Sequence, residues 1–231
     1  MTARAPFFRM AGMAHRLRDD LAYAICGTKV IFLDLLSERY FGIEGEEAAA
    51  LREFAHGNPI EKAKSEIRRR LMSLGVLVPS VSDVFPTAPD VPQPIESALE
   101  DGSGRTRLHL MPGVIFNRSR TARRLRALPL RVRIEQLKQR KTRSRAVPGS
   151  DALDDVVRSA NAARYLFNIH DQCLVTSLAL LDYLSTHGFH ADLVLGVRAT
   201  PFSAHAWVQA GGRILNDRID TVRLYRPILV A

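Results

Sequence analysis

The sequence predicts an α+β protein of two modules joined by a proline-rich segment. Residues 21–43 alternate in hydrophobicity like short strands, and helical patterns follow them. Prolines and serines without periodicity fill residues 81–104, which is typical of a linker. Helical and strand-like apolar runs return later in the chain. We therefore expect an N-terminal module over residues 1–80, a linker over 81–104 and a second module over 105–231.

The N-terminal module is predicted to begin with a three-stranded antiparallel meander. Its strands are expected at Leu21–Ile25, Lys29–Asp34 and Arg39–Ile43, with turn residues between them. Two helices should follow, one ending at Gly57 and one over residues 59–74.

The composition indicates a globular, cytoplasmic protein. The chain has 231 residues, of which 46% are hydrophobic, enough to bury a core. No run approaches the roughly 18 apolar residues of a membrane helix, and residues 1–10 lack the apolar stretch of a secretory signal. Cys26 and Cys173 are expected to be reduced thiols, because they lie far apart in a chain without an export signal.

The net positive charge of the chain comes from one segment. Residues 105–147 hold fourteen basic residues and one acidic residue, whereas the rest of the chain holds nineteen basic and twenty-three acidic residues. Apolar positions within the segment, interrupted by Pro129, predict broken helices. The arginines either cover a helix bundle with their long side chains or form a docking surface for an acidic partner.

Cys173 begins a predicted apolar helix. Leu174, Leu178 and Leu181 repeat at helical spacing after it. The free N–H groups and positive dipole at a helix N-terminus stabilise a thiolate, which is the reactive form of cysteine. A cysteine here could equally be a small packing residue, so its interpretation depends on partners.

His205 and Asp217 supply the partners that a thiol nucleophile needs. The imidazole would accept the thiol proton, and the carboxylate would orient the imidazole. His170, close to Cys173 in the sequence, is a rival base. Asp217 could alternatively be a turn residue at the end of a strand.

The strands that carry His205 and Asp217 can pair in two registers. A two-residue loop of Gly211 and Gly212 sets Ala206 opposite Asp217, whereas a three-residue loop starting at Ala210 sets His205 opposite Asp217. The second register matches polar with polar and apolar with apolar side chains, so it is the one we expect.

These residues resemble a known catalytic domain, that of the lasso-peptide biosynthesis B proteins. The similar stretches are Cys173–Leu178, Leu195–Arg198, Pro201–Val208 and Leu215–Asp217. The resemblance implies a transglutaminase-like (papain-like) cysteine peptidase domain with Cys173, His205 and Asp217 as its triad. Thr176 departs from the family pattern, where a basic residue is expected.

The N-terminal module resembles the PqqD-like precursor-recognition domain. The similarity lies in three stretches: residues 37–43, the acidic helix that follows them, and the end of the module at Leu74–Leu77. In that family a small winged-helix-like fold binds a leader peptide as an added strand. The resemblance implies leader contacts at Arg39, Tyr40, Phe41 and Ile43 and, on a facing helix, at Arg68 and Leu71. Alternatively, the two aromatic residues belong to the core and the arginine to a solvated helix face.

Outside the proposed triad, the sequence offers few groups for an oxyanion hole, a metal site or a phosphate site. The backbone N–H of Cys173 is the natural first oxyanion donor, and the side chain of Gln172 is a weaker candidate. We expect no metal site, because His187 and His190 lack further ligands. No glycine-rich phosphate loop supports an ATP site within the chain.

The sequence thus predicts a leader peptidase of lasso-peptide biosynthesis. The resemblance implies two partners, the precursor's leader and an asparagine-synthetase-like macrolactam synthetase. It implies no tightly bound cofactor and allows a dependence on ATP through that synthetase. We expect no nucleic-acid or membrane partner. The alternatives are a winged-helix-like nucleic-acid-binding regulator and an acyl transferase with the same triad.

Overall fold

The computed structural model describes residues 14–60, 64–102, 104–143, 151–163 and 172–231. Its strands are β1 Ala14–Leu17, β2 Leu21–Cys26, β3 Lys29–Asp34, β4 Arg39–Ile43, β5 Leu77–Ser80, β6 Glu96–Ser97, β7 Asp192–Ala199, β8 Phe202–Ala210, β9 Arg213–Ile214 and β10 Arg226–Val230. Its helices are α1 Gly45–Ala55, α2 Ser65–Ser73, α3 Met111–Ala127, α4 Leu130–Arg143, α5 Asp151–Ala163, α6 Cys173–Thr186 and α7 Ile219–Val222. Within these ranges no helix is long and apolar enough to cross a membrane.

The predicted meander is confirmed. Strands β2, β3 and β4 pair antiparallel in that order. Side chains alternate between the two faces of this sheet, so Tyr23 and Phe32 pack against α1 and α2. Ile31 and Leu33 face the opposite way and join a core cluster with α4, β7 and β10. The sheet is therefore a middle layer between the N-terminal helices and the second module.

Two features of the N-terminal module differ from the prediction. The second helix begins at Ser65 rather than near residue 59; residues 61–63 lie outside the described ranges. A ribbon of β1 and β5 also closes the module, and it was not predicted because Pro79 interrupts the strand pattern of β5.

The second module contains a five-stranded sheet in the order β10, β7, β8, β9, β6. Its edge strand β6 pairs in parallel with β9 and comes from the segment predicted to be a linker. Ser97 and Ala98 are buried there. This end of residues 81–104 is therefore built into the sheet.

The predicted hairpin register is wrong. Strands β8 and β9 pair Gln209 with Ile214, which is the two-residue loop of Gly211 and Gly212. Gly211 has a φ of 59°, as such tight loops require. Regular pairing then ends after two residues, and the side chain of Asn216 takes over the N–H of Val208 at 2.8 Å. The register was predicted by matching polar with polar and apolar with apolar partners, and this rule failed because β9 pairs over only two residues.

The basic segment forms two helices, α3 and α4, with the predicted interruption at Pro129, and both pack in the second module. Arg133 is 1% exposed and donates to the buried carboxylate of Asp182 on α6 at 2.8 Å. Arg120, Arg123 and Arg126 remain exposed. One arginine of the segment, Arg133, is therefore part of the packed interior, and the exposed arginines form a basic surface.

Candidate active site

Cys173 lies at the first position of α6, partly buried against β8. Apolar residues on nearly every side of α6 hold it in the core, so the helix axis and its N-terminus have a fixed position. The thiol accepts hydrogen bonds from the backbone N–H groups of Leu174 and Ala206 and from His205. These donors all favour a negatively charged sulfur.

The surroundings lower the pKa of the Cys173 thiol. Burial acts to raise this pKa, but the hydrogen bond and positive charge of His205 oppose it, together with the two backbone N–H groups. The net effect is a pKa below the usual value for cysteine. A larger fraction of the thiol is therefore ionised at neutral pH than in a free cysteine.

His205 projects from β8, directly opposite Gly196 of β7. The ring of Trp207 and the Cβ of Tyr225 come within 3 Å of the place where a Cβ on Gly196 would stand. The imidazole lies 5.1 Å from the Tyr225 ring centre. The absent side chain at Gly196 therefore admits the aromatic residues that support the imidazole.

Asp217 meets His205 although the two residues are not paired across the sheet. Nε2 of His205 donates to Oδ2 of Asp217 at 2.5 Å. The other carboxylate oxygen accepts the N–H of Arg218 at 2.8 Å, and the backbone carbonyl of Asp217 accepts Oγ–H of Ser97 at 2.6 Å. With Nε2 engaged by Asp217, Nδ1 is the ring nitrogen left to interact with Cys173.

The two partners of His205 raise its pKa to about 10. Burial acts to lower it, but the hydrogen bonds and negative charges of Asp217 and Cys173 outweigh that effect. A lowered thiol pKa beside a raised imidazole pKa favours a thiolate–imidazolium pair over the neutral pair. Such a pair supplies a nucleophile and a general acid in the same site.

A buried polar network fixes α6 against the sheet, and the sequence did not reveal it. The hydroxyl of Ser177 on α6 donates a hydrogen bond to the carbonyl of Ala206 at 2.9 Å. It also accepts a hydrogen bond from Nδ2–H of Asn216 at 2.9 Å. Asn161 of α5 donates to the carbonyl of Leu215 at 2.8 Å. Polar residues within apolar runs, such as Ser177 among leucines, are the signal that could have indicated such a network.

Of the two predicted oxyanion donors, the structure shows a side-chain contact for Gln172. Gln172 is the N-cap residue of α6 and makes no side-chain cap. Its Oε1 accepts a hydrogen bond from Arg118 of α3, so its amide nitrogen is the remaining donor. The rival base His170 lies outside the described residues. Among the residues that are described, no cluster of histidine, cysteine and acidic side chains could hold a metal ion.

The predicted leader-contact residues separate into two groups. Arg39 is exposed on β4, Arg68 is half-buried on α2, and Tyr40 packs on Phe202. Phe41 stacks on Phe32 with 4.9 Å between ring centres. The remaining two residues are in the core: Ile43 is 8% exposed and Leu71 0%. Contact of Leu71 and Ile43 side chains with a peptide was thus wrongly predicted, because both complete the packing between sheet and helices.

Comparison with known proteins identifies the second module. Residues 118–230 match the transglutaminase-like superfamily. The chain is similar to the Microcin J25-processing protein McjB of Escherichia coli, with 47% identity over 45 residues, or 20% of this chain and 22% of McjB. The match thus spans about a fifth of that relative's length. No solved structure matches the chain. The residues that match the transglutaminase-like superfamily are thus the ones that bring Cys173, His205 and Asp217 together.

Proposed function

We propose that this protein is a cytoplasmic cysteine peptidase that removes the leader from a lasso-peptide precursor. The observation that carries the proposal is the thiol, imidazole and carboxylate joined in series inside a transglutaminase-like domain. Similarity to a microcin-processing protein supports peptide maturation as the setting.

The reaction follows from the ion pair. The thiolate of Cys173 attacks the scissile carbonyl carbon and forms a C–S bond, while the π electrons move to the carbonyl oxygen. As the C–N bond breaks, Nδ1–H of His205 protonates the departing amine, which becomes the N-terminus of the core peptide. Water, deprotonated by His205, then hydrolyses the thioester and frees the leader with a carboxylate. The backbone N–H of Cys173 and the amide of Gln172 are the proposed oxyanion donors.

The N-terminal module would hold the leader at strand β4. Within the described residues β4 pairs on one side only, with β3, so its other edge offers free main-chain groups. Arg39, Tyr40 and Phe41 are the proposed side-chain contacts, with Arg68 on the neighbouring helix. A tethered leader raises the local concentration of the scissile bond at Cys173.

The exposed arginines of α3, Arg120, Arg123 and Arg126, are proposed to contact the macrolactam synthetase. Dependence on ATP would then come through that partner. An excess of basic side chains on one helix favours an acidic protein surface.

Cleavage of the precursor in a reconstituted reaction tests the proposal. Cys173→Ala should abolish cleavage, because no other group replaces the nucleophile, while Cys26→Ala should cleave at the wild-type rate as the matched cysteine control. Equal cleavage by Cys173→Ala and wild type would rule out the peptidase mechanism.

Acyl transfer is a second candidate, favoured by the transglutaminase-like match itself. It uses the same thioester, and an amine instead of water resolves it. Product masses separate the two reactions, because hydrolysis leaves a free carboxylate on the leader.

A further inference from the structure

Strand β4 places an aromatic side chain of the N-terminal module against the core cluster that also contacts the nucleophile. Tyr40 belongs to the face of the sheet that meets the second module, in the same apolar cluster as Cys173 and Ala204. Burial, and to a smaller extent the negative charge of Cys173, raises the pKa of Tyr40 to about 12. The phenol therefore stays neutral throughout the working pH range.

Phe202 extends this aromatic surface on the catalytic side. It opens β8, the strand that carries His205, and its ring centre lies 5.6 Å from that of Tyr40. Phe202 is nonetheless 53% exposed. Tyr40 and Phe202 thus form an aromatic pair between the N-terminal sheet and the strand of His205, and the open face of Phe202 can cover an apolar group.

We propose that Tyr40 and Phe202 form a subsite for an apolar substrate side chain next to the scissile bond. The inference rests on the proposed peptidase function. Two ring faces gain free energy by covering an apolar group, whereas a charged group placed there would lose water without gaining a partner. Since Tyr40 comes from the N-terminal module, that module completes the catalytic cleft as well as holding the leader.

The test uses the full-length chain and precursor peptides with either an apolar residue or Asp at each position flanking the scissile bond. Phe202→Ala and Tyr40→Leu should lower kcat/KM for the apolar substrate about tenfold and reduce the preference over the Asp substrate by a similar factor. Tyr40→Phe, which keeps the ring, should stay within about threefold of wild type. Phe116→Ala, at a phenylalanine 64% exposed on α3, is the matched control and should leave kcat/KM unchanged.

Two further readouts separate a subsite from general damage. The iodoacetamide reaction rate of Cys173 and the affinity for the isolated leader should remain within about twofold in Phe202→Ala, because the exposed ring supports neither. If Tyr40→Leu does not fold, Phe202→Ala decides alone. Wild-type kcat/KM and wild-type preference in Phe202→Ala, with an active wild-type enzyme, would overturn the subsite and leave the peptidase proposal standing. An inactive wild-type chain would remove both.

Discussion

His205 is the residue on which the site's electrostatics depend. It donates through Nε2 to Asp217 and faces the sulfur of Cys173 with Nδ1, so each negative partner stabilises the imidazolium. The chemistry of Cys173, His205 and Asp217, together with the family resemblance of the stretches that carry them, predicted that they would meet. The register argument used to join His205 to Asp217 was wrong, since the contact is made by a bend after β9. The chemistry of the side chains predicted that His205 and Asp217 would be partners. The path of the backbone between them depends on tertiary contacts such as the hydrogen bond from Ser97 to the carbonyl of Asp217.

Asp217→Asn should keep the shape of the site and lose its charge. Without the carboxylate, the pKa of His205 falls and the thiolate is less stabilised, so kcat should drop by about 10²–10⁴-fold. The pH at which Cys173 becomes reactive toward iodoacetamide should rise. Asp220→Asn, at an exposed aspartate on α7, is the matched control and should change neither value. An Asp217→Asn enzyme with full kcat would contradict the orienting role.

The two shifted pKa values also set a pH window for activity. Activity should fall at low pH as the thiolate of Cys173 becomes protonated, at a pH below the usual pKa of cysteine. It should fall again near pH 10, where His205 loses the proton that the departing amine requires. A bell-shaped profile of kcat/KM against pH is the expected measurement, and an acid limb centred at or above the usual pKa of cysteine would contradict the ion pair.

At the scale of elements, the position of α6 relative to β8 decides whether sulfur and imidazole can meet. Ser177 and Asn216 make this contact through side chains, in place of strand pairing that stops at Ile214. The helices and long strands were predictable because their apolar residues either recur with a helical or strand period or form a continuous buried run, as in α6 and β7. The two-residue strand β6 was not, because two residues carry no period, and β9 was predicted as a hairpin strand but in the wrong register.

Asn216→Ala should loosen this junction. The N–H of Val208 and the hydroxyl of Ser177 would lose a buried partner, so the free energy of unfolding should fall by about 1–3 kcal/mol. In catalysis, kcat should fall more than KM rises, because the change misplaces the reacting groups. Urea unfolding measures the first effect and steady-state kinetics the second. Asn58→Ala, which removes an exposed contact with Glu53, should change stability by less than about 0.5 kcal/mol; an equal loss in both variants would contradict the account.

For the whole molecule, the two modules share one core. Ile31 and Leu33 of the N-terminal sheet pack in the cluster that contains Ile134 of α4 and Leu195 of β7. The backbone N–H of Leu130, at the start of α4, also donates to Glu38 at 2.6 Å. The sequence predicted two modules but not their union, since the alternating pattern of a strand does not say which partner will cover its second face.

A shared core should make the chain unfold in one cooperative step. Fluorescence of Trp207, the single tryptophan, reports on the second module, whereas far-UV circular dichroism reports on both. The two transitions should coincide in urea within experimental error. An earlier circular dichroism transition that leaves Trp207 fluorescence unchanged would show an N-terminal module that unfolds separately, contrary to this expectation.

The central claim is that Cys173 becomes acylated by the leader during cleavage. Acid quenching of the reaction within the first turnovers, followed by intact mass spectrometry, measures this directly. We expect a transient adduct equal to the leader's acyl mass, located on Cys173 by digestion and absent from Cys173→Ala. Cleavage that proceeds with no adduct on the wild-type enzyme and at an unchanged rate in Cys173→Ala would contradict the account.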